Sequence, residues 1–268
     1  MNAMTTALIG FAGFCTMAFS ASAQQGQLEL YNGFDPEKPT IIAVHGWFGS
    51  VDYPSTFGRS PSFADWANVI GWEWDANFGG NITAKARESG RLLARDIYEL
   101  LYFNVPDYDQ PIQVIGHSLG GHVVLETAKT LRDVGRDDPD YDVYQIDQVT
   151  LVDACCTDEV PPAIEEIDGD YLVPLKLDNY FSPARSGGVG TWYEGNLANV
   201  RIPISHGNIW WYYFESLDQD TASLIEPCAE YGLVGRLAEF NFGAIGVYLV
   251  TGESTPLDLS DDVYRVLP

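Results

Sequence analysis

The stretch "QVIGHSLGGHVV", Gln113 to Val124, decides how the rest of the chain is read. Residues Ile112 to Ile115 read as a strand, and Leu119 to Leu131 recur apolar at helical spacing. Between them stands Gly116-His117-Ser118-Leu119-Gly120, a Gly-x-Ser-x-Gly run. A serine there occupies a sharp strand-to-helix turn with strained backbone. Glycines two residues to either side remove the side chains that would clash. The turn presents the Ser118 hydroxyl at the strand end and aims the Leu119 N–H at a developing oxyanion. Ser118 is therefore a candidate nucleophile. Its hydroxyl attacks nothing until a base takes its proton, and the chain offers four histidines: His45, His117, His122 and His206.

Outward from this stretch, apolar runs of strand length alternate with helical patterns. "TIIAV", Thr40 to Val44, is a buried strand ending at His45-Gly46. Residues 68–74 form a second strand, a helix follows from Thr83, and further strands fall at about Ile146 to Asp153, Tyr171 to Leu177 and Asn196 to Ile202. This alternation implies an α/β fold with a mostly parallel central sheet and helices on both faces. Ligands in such sheets sit beyond the carboxyl ends of the strands. That places His45-Gly46-Trp47 beside the Ser118 turn, and the Trp47 N–H becomes the second candidate oxyanion donor. Aromatic residues Tyr53, Phe57, Phe63 and Trp66 suit an apolar wall or lid for an acyl group. Trp72 and Trp74 read as core filling instead.

The ordered segments "VHGWFGS", "GWEWDA", "VIGHSLGGHVV", "LVDACC", "LDNYFS" and "ISHGNIWWYY" resemble the lipases of the α/β-hydrolase fold. They look most like the pancreatic-lipase-type branch and its bacterial relatives, over most of residues 40–215. The resemblance implies a serine, an acid and a histidine in that chain order. Only His206 follows both the serine and an acid, so it becomes the expected base, in a Ser205-His206-Gly207 loop. Asp153, ending "QVTLVD", matches the place of the acid, although Ala154-Cys155-Cys156 stands where the branch keeps a proline. Asp178, one strand later in "LKLDNYF", is the alternative acid. His117 and His122 read as structure: neighbouring side chains diverge at a strand end, and His122 packs along the helix.

The composition narrows the rest. The chain has 268 residues with a net charge of −24, which repels nucleic acid phosphates and anionic lipid alike. The first 23 residues read as a secretory signal peptide: an apolar run from Ala7 to Phe19, then Ala21-x-Ala23, with no lysine or arginine ahead of it. The run is too short to span a membrane. A secreted or periplasmic protein of one domain, residues 24–268, is expected. Of the cysteines after the leader, Cys228 is expected to bond one of the adjacent Cys155 and Cys156. No spacing of zinc ligands is present, so neither metal nor cofactor is expected.

The expectation is a secreted serine hydrolase of carboxylic esters, a lipase or esterase acting on a small-molecule ester or lipid. A phospholipase, a polyester depolymerase or an acyltransferase would share the same residues. A silent binding relative should have lost one of them.

Overall fold

The computed structural model describes residues 26–217 and 264–265, except 32, 48, 50–51, 53–54, 56–57, 60–66, 77–79, 106–107, 138–145, 169–175, 183–186, 192, 194–197 and 202–204. The expected leader, Cys228 and the aromatic residues Tyr53, Phe57, Phe63 and Trp66 lie outside the described residues.

Eight strands make one sheet. They are β1 (Gln27–Leu30), β2 (Thr40–Val44), β3 (Asn68–Glu73), β4 (Ile112–His117), β5 (Gln148–Val152), β6 (Lys176–Phe181), β7 (Ala198–Arg201) and β8 (Tyr264–Arg265), in the spatial order β1-β3-β2-β4-β5-β6-β7-β8. Only β1 is antiparallel to its neighbour. Among the described residues the main helices are α1 (Ile82–Tyr98), α2 (Gly120–Asp137), α3 (Val160–Asp168) and α4 (His206–Leu217).

The chain runs outward from β2 to β3, then crosses back to β4 on the other side of β2. That reversal opens a crevice between the carboxyl ends of β2 and β4, the place where open α/β sheets bind ligands. Those ends carry His45-Gly46 and His117-Ser118.

Strands β2 and β5 are buried along their whole length; β2 therefore reads as a continuous apolar run, while β5 buries the polar Gln148 and Thr150 as well. Ile42, Val44, Trp72, Val114 and Leu151 form one core with α1, α2 and α3. Asn81 caps α1, its Oδ1 accepting from the Ala84 N–H at 3.1 Å. The buried face of α1 is Thr83, Ala86, Ser89, Gly90, Leu93, Ala94 and Ile97, recurring at helical spacing. At Gly90 the two helices touch. A Cβ there would lie 2.5 Å from the Val123 carbonyl, and Thr127 Oγ1 donates to the Gly90 carbonyl. Tyr213 of α4 covers the opposite face, edge-on to Tyr180 of β6.

Two sequence expectations need correction. The strand expected at Tyr171 to Leu177 is β6, Lys176–Phe181. Its polar residues hid it, because they are buried in pairs: Thr150 Oγ1 donates to Asp178 at 2.5 Å, and Asn179 Nδ2 to the Thr191 carbonyl at 2.8 Å. His206 is not in a loop but is the first residue of α4. The Ser205-His206-Gly207 run opens the helix instead, and the Asn208 and Ile209 N–H groups donate to the Ser205 carbonyl. Strand β1 and helix α3 were not foreseen.

Candidate active site

Ser118 follows β4 with φ of 54°, left-handed backbone that a residue with a Cβ adopts at a cost of about 1–2 kcal/mol. Three glycines make the turn sterically possible. A Cβ on Gly116 would lie 2.4 Å from the Gly120 carbonyl oxygen, and one on Gly120 would lie 2.5 Å from that of Val44. One on Gly46 would lie 2.6 Å from Ser118 Cβ, so the loop after β2 packs directly on the serine. The Ser118 N–H donates to the Val152 carbonyl at 3.0 Å, and its carbonyl accepts from Gly121 and Cys155. Over-determined in this way, the strain persists.

Because the atoms crowding Gly120 are backbone, Gly120→Ala is expected to destabilise the protein by roughly 3 kcal/mol. Gly207→Ala, whose Cβ would meet nothing within 4 Å, should change stability by less than about 1 kcal/mol. Urea midpoints of the two variants compare them.

The Leu119 N–H, at the start of α2, has no acceptor among the described residues. Trp47 stands in the turn after β2, with its ring partly exposed. The His45 side chain is occupied elsewhere. Its Nδ1–H donates to the Gly46 carbonyl at 2.8 Å, its Nε2 accepts from the Trp74 N–H at 3.2 Å, and the Trp74 indole N–H reaches the His45 carbonyl. It holds the loop shape and does not face the serine as a base.

Asp153 follows β5, fully buried, with φ of 47°. Its Oδ2 accepts from His206 Nδ1–H at 2.6 Å and from the Val189 N–H at 3.0 Å. Its Oδ1 accepts from the Ser182 and Gly190 N–H groups, both at 2.8 Å. Burial pushes this carboxyl up, but the His206 bond and three backbone N–H groups outweigh it and hold it below the usual carboxylate range. Asp178 is buried too, but its carboxylate takes the Thr150 hydroxyl in a polar layer with Gln113 and Tyr213. Asp153, and not Asp178, is the carboxylate on His206.

The three backbone donors to Asp153 escaped the sequence reading. The run Ser186-Gly187-Gly188-Val189-Gly190 was their signal: a Cβ on Gly190 would lie 2.6 Å from Asp153 Oδ1, so only glycine presents its N–H there. Two more neighbours were missed. Tyr193 is buried close by, its hydroxyl pushed up by burial first and then by the Cys155 and Asp153 charges. His117 donates from Nε2 to the His206 carbonyl at 2.9 Å, and its ring stacks on His206 with centroids 4.5 Å apart. Trp210 packs against the same His117 ring, 5.3 Å between centroids.

Burial, and then the His206 charge, push His117 down to about 4, so its ring is neutral at pH 7. On unfolding below about pH 6.5 that ring takes up a proton. The folded state therefore loses stability as pH falls from about 6.5 to about 4, on the order of 3 kcal/mol in all. His117→Gln should flatten this part of the profile, read as urea midpoints at pH 7 and 4.5. Asp153 acts in a lower window. Its depressed value contributes stability above about pH 4, lost as pH falls further.

Among the described residues Cys155 and Cys156 carry free thiols, and the bond expected from Cys228 involves a residue outside the described ones. Among the described residues, no three or more His, Cys, Asp or Glu side chains are grouped to hold a metal ion, and no helix is long and apolar enough to cross a membrane.

No family model and no curated protein matches the sequence. Among solved structures, the chain is similar to a lipase-esterase related protein from Clostridium acetobutylicum, at 15% identity and a TM-score of 0.34 over 50% of this chain and 48% of that one. It is similar to acyl-protein thioesterase 2 of Zea mays, at 15% identity and 0.36 over 59% and 75%. It is also similar to Est1E of Butyrivibrio proteoclasticus, solved with ferulic acid, at 13% identity and 0.46 over 76% and 95%. The chain spans less than half the length of the first of these. The strand order and the strained Ser118 turn are those of an α/β-hydrolase fold.

Proposed function

We propose that this chain is an exported serine hydrolase that cleaves carboxylic esters through a Ser118-His206-Asp153 triad and an acyl-enzyme. One observation carries the reading: His206 Nδ1 lies 2.6 Å from a buried carboxylate while its ring stacks against the residue preceding a strained serine. A buried carboxylate on Nδ1 leaves Nε2 as the free base.

Ser118 attacks the ester carbonyl carbon as His206 Nε2 takes the hydroxyl proton. The tetrahedral oxyanion is held by the N–H groups of Leu119 and Trp47. His206 then gives the proton to the leaving alkoxide, and the alcohol departs. Water attacks the acyl-enzyme by the same route, with His206 again as base. Asp153 keeps Nδ1 protonated and stabilises the imidazolium, while His117 holds the His206 backbone and ring as a positioning residue. The sequence resemblance to pancreatic-lipase-type enzymes favours lipid esters among the substrates. Export through the leader predicts a mature protein beginning at Gln24, checked by N-terminal sequencing.

Two measurements test this reading: hydrolysis of p-nitrophenyl esters of graded acyl length, and labelling by an alkyl fluorophosphonate with the adduct mapped by peptide mass. Turnover of at least one ester and an adduct on Ser118 are expected. A folded protein that turns over no chain length overturns the esterase reading. An adduct on another residue overturns the choice of nucleophile.

A further inference from the structure

Cys155 and Cys156 come two and three residues after Asp153, and no step above uses them. Their sulfurs lie 3.3 Å apart. Cys156 is exposed, with φ of 58°, and Cys155 is partly buried. Cys155 touches the Ser118 turn and the helix that follows it in two ways. Its N–H donates to the Ser118 carbonyl at 3.3 Å. Its carbonyl accepts from His122 Nε2 at 3.0 Å, one turn into the helix that Ser118 opens.

We propose that Cys155 and Cys156 form a reversible thiol–disulfide modification site that switches Ser118 off when oxidised; this rests on the reading of Ser118 as nucleophile. The oxidant is a small disulfide. The Cys156 thiolate attacks one of its sulfurs, forming a mixed disulfide and releasing one thiolate. Cys155 loses its proton to solvent, and its sulfur attacks that of Cys156, expelling the second thiolate. Two protein thiols are oxidised, the small disulfide is reduced to two thiols, and the two protons pass to solvent or to those thiolates. Exposure gives the first attack to Cys156. Burial first, and then the neighbouring Cys156, push the Cys155 thiol up to about 12 and fit it for the second, slower attack.

The geometry explains both the switching and its reversal. Adjacent Cα atoms stand about 3.8 Å apart, short of the roughly 4.4–6.8 Å that disulfides prefer. Closing the bond therefore turns the peptide between the two residues. That peptide carries the carbonyl held by His122, and it belongs to the residue whose N–H binds the Ser118 carbonyl. A displacement of about 1 Å at such a turn costs on the order of 10²-fold in rate. Strained, exposed disulfides are also the easily reduced ones.

The test uses the full chain with Cys15→Ser and Cys228→Ser, leaving this pair, incubated with oxidised glutathione. Intact mass and peptide mapping should show the loss of two hydrogens within the Cys155–Cys156 peptide and no glutathione adduct. Ester kcat should fall about 10²-fold and return with dithiothreitol. Adding Cys156→Ser should make activity insensitive to the oxidant. A lasting glutathione adduct, no reaction, or ring closure with unchanged kcat overturns the proposal, as does a Cys156–Cys228 bond in the unmutated chain. A reduced protein that hydrolyses no ester overturns the nucleophile reading together with the switch. An active one that forms no ring overturns the switch alone.

Discussion

Ser118→Ala is expected to lower kcat for ester hydrolysis by about 10⁶-fold while leaving the fold intact. Only one oxygen is removed, from a residue 6% exposed, and the backbone bonds of the turn to Val152, Gly121 and Cys155 do not involve it. What survives is the positioning and oxyanion stabilisation supplied by the rest of the site, so activity should not fall to the rate in water. Stability separates this loss from misfolding. Alanine keeps the left-handed strain at φ of 54°, whereas Ser118→Gly relieves it. Both variants should be equally inactive, but the glycine variant should unfold about 1 kcal/mol later in urea than the alanine one. Equal activity in wild type and alanine variant would remove Ser118 from the mechanism. Equal stability of the two variants would remove the strain argument.

Asp153→Asn is expected to cost about 10⁴-fold in kcat with little change in KM. The amide oxygen can keep the two donors on Oδ1, Ser182 and Gly190. The amide nitrogen then faces two other donors, the Val189 N–H and His206 Nδ1–H. His206 escapes the clash by moving its proton to Nε2, the nitrogen that must accept from serine, and so becomes the wrong tautomer. Losing a charged acceptor inside a fully buried site should also cost roughly 2–3 kcal/mol of stability. Asp178→Asn is the contrast. Its carboxylate takes the Thr150 hydroxyl, and an amide oxygen can do the same, so kcat should stay within a few-fold of wild type. The two variants are compared by kcat and by urea midpoint. A larger kcat loss in Asp178→Asn would reverse the assignment of the acid.

The Ser118 turn was legible because its constraint is local. Gly116, Gly120 and an apolar strand and helix around Ser118 are contiguous, and each glycine is demanded by backbone atoms only a few ångströms away. Gly46 was legible for the same reason, one strand over. The buried strand β2 announced itself as an apolar run because both of its faces are covered. Strand β6 did not, because its polar side chains find partners only after β5 and the 190 loop have packed beside it.

By itself the sequence determined the α/β order, the Ser118 turn and the three residues in chain order that could act together. Choosing between Asp153 and Asp178 was left to the tertiary structure. They lie on or beside adjacent strands, but the register pairs Asp178 with Thr150 inside the sheet and leaves Asp153 beyond the end of β5, where its carboxylate meets His206. The part assigned to His117 was likewise invisible in one dimension. A side chain adjacent to the nucleophile points away from it, and only the arrival of α4, 89 residues downstream, brings the His206 ring and carbonyl against it. Local backbone geometry is written in neighbouring residues; contacts between distant segments depend on how the sheet brings its strand ends together.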